Sequence, residues 1–396
     1  MYDILNYVSG FIWGPFTLIL ILGTGIFLSL GLKGFTLTYI AVAFKQLFSK
    51  EEDSSSGEIS SFQSLTTALS ATVGTGNIAG VATAIFVGGP GAIFWMWVSA
   101  VFGMATKFAE AFLAIKYREK NELGETIGGP MYYIKNGLTS KFIVFAYLFA
   151  TAGMIAALGI GNGVQVNSVS QVINNEFGFS TFSIGIVIAI LVALVILGGI
   201  KSIGNITSKL VPVMSLVYIL GGLLIIILNA NQVGYVFNLI VTSAFTTTAA
   251  TGGFAGATVW MALRYGVARG VFSNEAGLGS SPIAHAAAKT NNPVKQGMIS
   301  MLEPLIDTLI VCTITAFVIL MSNQWVGEIN GAVLTVASFE NLLANGKYIV
   351  IFGLILFSFS TIIGWSYYGE KCVEFLFGSG VIIYYRILWI VIIPVA

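Results

Sequence analysis

Residues 74–80 read Gly74-Thr75-Gly76-Asn77-Ile78-Ala79-Gly80, and residues 272–280 read Phe272-Ser273-Asn274-Glu275-Ala276-Gly277-Leu278-Gly279-Ser280. Each stretch interrupts a hydrophobic run of membrane length, and the two lie about 200 residues apart. The breaks themselves are placed at Gly74-Thr75-Gly76-Asn77 and at Ser273 to Gly279. Hydrocarbon cannot hydrogen-bond a loose N–H or C=O, so broken backbone at membrane depth persists only where it lines a cavity or is buried in protein. Two such breaks in corresponding halves of a polytopic chain point to the substrate site of a secondary transporter.

The flanking sequence fits that reading. The 396 residues are 56% hydrophobic and 9% charged, with a mean hydropathy of +0.91. A soluble domain carries about 25% charged residues. Ten apolar runs are predicted: 11–32, 62–87, 91–115, 142–173, 182–199, 205–228, 256–286, 297–321, 349–371 and 381–396. Their length argues for an all-α integral membrane protein. Barrel strands would instead alternate over about 10 residues. The net charge of +1 leaves no broad basic surface for nucleic acid. Cys312 and Cys372 both lie in apolar runs and outline no redox framework. Met1-Tyr2-Asp3-Ile4 offers no basic region and no clear cleavage site, so the first run is expected to be a retained helix. The last run is still apolar at Ala396, and its helix is expected to continue.

Basic residues orient the chain. Lys33, Lys45 and Lys50, then Lys116, Arg118, Lys120, Lys135 and Lys141, then Lys201, Lys209, Lys289, Lys295 and Lys371 fall on one side. Lys347 alone falls on the other. Positive-inside bias therefore predicts an external N-terminus. Residues 232–255 and 331–346 are expected to form short external helices that gate the site or simply pack on it. Residues 50–61 read as a solvated linker.

The polar residues within the apolar runs are the candidates for chemistry. Gly74-Thr75-Gly76-Asn77-Ile78-Ala79 matches G-x-G-x-x-A, but a dinucleotide site needs a strand before it and a soluble βαβ unit after it. Small residues at a helix contact explain Gly80 and Ala84, whereas a buried amide at Asn77 needs partners. Orphan N–H groups at a half-helix N-terminus suit a carboxylate. The carbonyls of Ser70, Thr72 and Val73 suit sodium. Glu275 is an acid at membrane depth, either functional or paired with Arg264 or Arg269. Phe272 beside it is a lid or plain core. Glu303 and Asp307, at i and i+4, repel unless one is protonated or a cation is near. For Asp307 a sodium ligand and a salt bridge both stand. Glu110 and Lys107 read as a structural pair.

Asn162, Gln165 and Asn167 are interhelical glue, unless Gln165 reaches a substrate carboxylate. Ser358, Ser360 and Thr361, followed by Trp365, either bond back to their own helix or complete a second sodium site. His285 is the sole histidine, and with two cysteines it supports no catalytic or zinc site.

The run Gly88-Gly89-Pro90-Gly91-Ala92-Ile93-Phe94-Trp95-Met96-Trp97-Val98-Ser99-Ala100-Val101-Phe102-Gly103 resembles the signature of the alanine or glycine:cation symporter family. Gly128-Gly129-Pro130-Met131-Tyr132-Tyr133 and the two breaks resemble its other recurrent stretches. The resemblance implies a LeuT-like core of two inverted five-helix repeats behind an extra N-terminal transmembrane helix. Residues 1–61 would hold that helix and its linker, 62–228 the first repeat, and 229–396 an external helix and an incomplete second repeat. A further C-terminal helix is usual in that family. The resemblance also implies a substrate site at the amides of Thr75 and Gly76, near Asn77 and Gln165. Carbonyls near Phe272 and Asn274 would receive the ammonium group; Glu275, Gly277 and Trp365, read from the residues, are expected to complete the site. One sodium ion would meet Thr72, Asn77 and Ser273, and another would meet Ser70, Val73, Ser360 and Thr361; Asp307, read from the residues alone, is a further sodium candidate. The implied activity is sodium-coupled import of alanine or glycine across the cell membrane, with sodium as the coupling ion, no cofactor and no enzymatic turnover. A proton-coupled transporter or exchanger is the alternative.

Overall fold

The computed structural model describes residues 10, 12–49, 56–246 and 259–395. Lys50 and the linker to residue 55, residues 1–9, and the stretch from 247 to 258 lie outside the described residues, as does Ala396. Every predicted apolar run holds a helix. These are α1 (Pro15–Gly31), α2 (Ser61–Thr72, resumed as Gly76–Gly88), α3 (Gly91–Lys116), α4 (Ser140–Phe177), α5 (Thr181–Ile196), α6 (Gly199–Leu228), α7 (Val259–Asn274), α8 (Pro293–Ser322), α9 (Lys347–Phe377) and α10 (Ser379–Val395). By length and composition α3, α4, α6, α8 and α9 can each cross a membrane, and α2 makes a sixth despite a 52° bend at its break. α1, α5 and α10 are apolar but shorter.

Local chemistry sets the helix ends. Ser60 and Gln63 form a reciprocal capping box at the start of α2. Asn292 accepts from the amides of Val294 and Lys295, with Pro293 in the first turn of α8. Gly178, at φ 73°, closes α4.

The tryptophan-rich run acts through its small residues. Gly266 and Gly270 of α7 lie against Ala92 and Ser99 of α3 so closely that a Cβ at either would overlap them. Gly103 gives the same access to Ala276, whose Cβ would lie 2.9 Å away. Such close backbone approach is how helices pack where no hydrophobic drive exists between them. It seats the second break directly on α3.

The short helices expected outside the core are present as Val233–Ser243 and Gly331–Leu342. The second reaches the first break, where Thr335 Oγ1 donates to the Ile78 carbonyl at 3.0 Å. The described part of the 50–61 linker corrects the expectation of a solvated segment. Ile59 is buried and bridges to Ala288, with the Lys289 amide donating to the Ile59 carbonyl at 2.8 Å. Arg118 clamps that junction by donating to the carbonyls of Ser56, Ala286, Ala288 and Thr290. A two-stranded hairpin, Glu119–Lys120 with Thr126–Ile127, is a further element that apolar periodicity does not reveal.

Candidate functional site

α2 stops at Thr72, and Val73 turns extended with ψ at 93°. The chain then resumes as a wide π-helical turn, Gly76–Gly80. Gly74 is required there, because a Cβ would sit 2.5 Å from Thr361 Oγ1 of α9. Asn77 is fully buried and uses its whole amide. Its Oδ1 accepts from the Gly74 amide at 2.9 Å, and its Nδ2 donates to Asp307 Oδ1 at 2.7 Å and to the Asp307 carbonyl at 3.2 Å.

The second break runs from Glu275 to Ser281, between α7 and a short helix at Pro282–Ala286. Glu275 adopts φ 57°, and Gly277 and Gly279 are also left-handed. For a glutamate that conformation costs of order 1–3 kcal/mol and persists only where the surroundings enforce it. The two breaks face each other. A Cβ on Gly76 would lie 3.4 Å from Ser273 Cα and 3.6 Å from Phe272 Cδ1.

Asp307 joins them. Its Oδ1 takes the Asn77 amide and its Oδ2 takes the Thr308 hydroxyl at 2.7 Å; Thr308 in turn accepts from Asn274 Nδ2 at 3.0 Å. Asp307 sits in a second π-helical stretch, Leu305–Cys312, and a third, Ala157–Gly163, precedes Gln165. Wide turns of this kind weaken the regular hydrogen-bond ladder and recur at functional sites. Here all three converge on the breaks. Asp307 is fully buried and its partners are neutral amide and hydroxyl donors. Asp307 thus presents a hard carboxylate donor beside the Asn77 amide, of the kind that suits an alkali or alkaline-earth cation.

α4 and α9 close the remaining sides. Gln165 Nε2 donates to the Ile160 carbonyl at 3.1 Å, and its Oε1 accepts from the Thr75 amide at 3.4 Å. The amide oxygen thus lies where the resemblance places a substrate carboxylate. Thr361 Oγ1 donates to the carbonyls of Phe357 at 2.9 Å and Val73 at 3.5 Å, so α9 touches the first break. The hydroxyls of Ser360 and Ser70 turn back to carbonyls of their own helices, at Phe357 and Thr67. Trp365 packs so tightly on Gly161 that a Cβ there would overlap it. Trp365, Phe272 and Glu275 line one cavity of about 540 Å³, together with Trp13 and Ile160. Gly277 stands apart from that group: it is exposed, with Ile21 of α1 as its nearest neighbour.

If Gln165 belongs to the alanine site that the resemblance implies, Gln165→Ala is expected to weaken alanine binding roughly ten-fold, the worth of about 1.4 kcal/mol for one polar contact, and sodium binding much less. Paired calorimetric titrations check this, and an unchanged alanine affinity removes Gln165 from the site.

Below the breaks lies a buried ionic cluster that corrects two pairings. Lys107 bonds Glu303 at 2.9 Å and Ser281 Oγ at 2.7 Å, rather than Glu110. It is the cation that the Glu303–Asp307 spacing demands. Glu110 Oε1 instead accepts from the Gly279 amide at 3.1 Å. Glu275 bonds Ser280, Arg264 caps the carbonyls of Trp13 and Gly10, and Arg269 lies over the Phe272 ring, so Glu275 pairs with neither arginine. His285, set aside on sequence grounds, bonds Glu303 through Nε2 and Gln296 through Nδ1. Its place inside the apolar run 256–286, four residues after Ser281, was the available signal. Thr308 and Cys312 were also missed; Cys312 Sγ accepts from Asn77 Nδ2 at 3.3 Å.

The profile of the sodium:alanine symporter family matches residues 1–396. The chain is 51% identical to the sodium/alanine symporter AgcS of Methanococcus maripaludis, over 98% of this chain and 87% of the relative. It is 40% identical to the putative sodium/proton-dependent alanine carrier protein YrbD of Bacillus subtilis, over 95% and 79%. It is 38% identical to the probable sodium/glutamine symporter GlnT of Bacillus subtilis, over 98% and 81%.

Proposed function

Because the chain belongs to the sodium:alanine symporter family, we propose that it carries alanine, and glycine through the same site, by sodium-coupled alternating access across the cell membrane. It is a transporter and not an enzyme. One observation supports the proposal most: Asp307 holds both backbone breaks through Asn77 and through Thr308 and Asn274. A cation bound there changes the spacing of the two breaks, and the substrate lies between them. In this reading the nine helices after α1 form a first five-helix repeat (α2–α6) and an incomplete inverted second one (α7–α10), with the N-terminus outside and the α3–α4 loop in the cytoplasm.

The substrate carboxylate takes the Thr75 amide as Gln165 Oε1 withdraws, and the Gln165 side chain turns its Nε2 toward the same oxygen. Carbonyls beside Phe272 and Asn274 receive the ammonium group. The first sodium ion meets the oxygens of Thr72, Asn77, Ser273 and Asp307. A second ion meets the carbonyls of Ser70 and Val73 once the Ser360 and Thr361 hydroxyls rotate off their own helix. Sodium and alanine must then tighten each other equally. A 100-fold mutual effect corresponds to ~2.7 kcal/mol. One methylene in an apolar pocket discriminates by only about 1–3 kcal/mol. Larger amino acids are therefore rejected by contact with Phe272 and Trp365.

Radiolabelled alanine uptake into proteoliposomes tests the proposal. An inward sodium gradient is expected to drive accumulation, and replacing sodium with choline is expected to reduce it to background. Uptake that persists in choline favours proton coupling and overturns the sodium assignment.

A further inference from the structure

Three buried carboxyl groups surround Lys107, and their partners rank them. Glu303 receives Lys107, His285 and the Ser300 hydroxyl. Glu275 receives Ser280 and lines the 540 Å³ cavity. Glu110 receives only the Gly279 amide on Oε1. Its Oε2 is buried without a hydrogen-bond partner, and the residue is 8% exposed. Lys107 lies one turn away on α3, but its ammonium group is directed to Glu303 and Ser281. Three ionised carboxylates beside one ammonium group would leave uncompensated negative charge in a dry region of a membrane protein, which is expensive. Removing the charge from the member whose buried oxygen has no hydrogen-bond donor relieves it. A neutral carboxyl with one unmet donor costs about 1–3 kcal/mol, less than an unpaired buried anion.

We propose that Glu110 is a proton-binding site of this carrier: Oε2 takes one proton from hydronium, leaving water, and holds it while the loop after the second break stays closed. The charged and titratable groups that face Glu110 are Lys107 on α3, Glu275 on the break, Glu303 on α8, Tyr133 on the Pro130–Gly137 helix and Tyr368 on α9. The Gly279 amide links the carboxyl group to the loop. When the loop moves and water enters, the proton returns to water and the carboxylate is hydrated. Acid therefore favours the closed loop. The effect on transport rests on the carrier reading above, whereas occupancy by a proton does not.

Infrared spectroscopy of the purified protein at neutral pH reads the site directly. The wild type is expected to show the carbonyl stretch of a protonated carboxyl that Glu110→Gln lacks; identical spectra overturn the proposal. Should Glu110→Gln fail to fold, Glu110→Asp is expected to shift that band, and an untouched band overturns it equally. In proteoliposomes with a fixed sodium gradient and clamped voltage, lowering the pH by one unit is expected to slow wild-type uptake by up to about ten-fold, the limit for one proton. Glu110→Gln is expected to be flat over the same range. Equal pH dependence in both proteins overturns the coupling, while absent uptake in both tests the carrier reading and leaves the infrared result to decide proton binding.

Discussion

Asn77→Ala is expected to abolish sodium-driven alanine uptake and to lower sodium affinity at least 100-fold. The expected loss comes from position as much as from the missing ligand. Asn77 holds the Gly74 amide with one end of its side chain and Asp307 with the other. Alanine leaves the Gly74 amide buried and unmet and takes the donor from Asp307 Oδ1, each at about 1–3 kcal/mol. The break then loses the tie that sets the direction of its free carbonyls, and Asp307 loses one of its neutral donors. Folding is expected to weaken by those few kcal/mol, so the assay needs a folding control. Size-exclusion profile and thermal midpoint in detergent supply it, and binding is then measured on the folded fraction. Wild-type uptake by that fraction would refute the role given to Asn77.

The breaks were legible because they violate a strong rule. Glycines, an amide and a carboxylate inside membrane-length apolar runs leave few bland explanations, and Gly74, Asn77 and Glu275 announced both interruptions. The helices were legible for the same reason, since their apolar runs are long and uniform. What joins the breaks was harder to read. Thr308 is an ordinary threonine beside Asp307, and nothing in its spacing says that it carries Asn274 across to that carboxylate. Lys107 and Glu110 are three residues apart on one helix, and local spacing favours pairing them. The structure sends Lys107 instead to Glu303, 196 residues away in the chain. Long-range pairing depends on how α3 packs on the second break and α8, and that packing is set by glycines at 266, 270 and 103 whose meaning is invisible without the partner helix. The linker failed for a related reason. Its acidic, serine-rich composition is that of a solvated chain, yet Ile59 and the Arg118 clamp dock its end.

Lys107→Met is expected to be among the most destabilising single changes in the protein. Both members of the Lys107–Glu303 pair have fully buried side chains. Removing the ammonium group leaves Glu303 with His285 and Ser300 in a region that water does not enter, and Ser281 loses its donor. Breaking a buried pair from one side typically costs about 3–5 kcal/mol. Replacing both members with neutral groups of similar shape removes the uncompensated charge, so Lys107→Met combined with Glu303→Gln is expected to recover much of the loss. Thermal midpoints of the two single variants and the double variant, measured in one detergent, make the comparison. A double variant at least as unstable as the sum of the single changes would mean that the pair is not a coupled unit. The same comparison separates stability from transport. If the cluster only holds α3, α8 and the Ser281 end of the second break together, the double variant regains uptake along with stability. If Lys107 also steers Ser281 as the loop opens, stability returns and uptake does not.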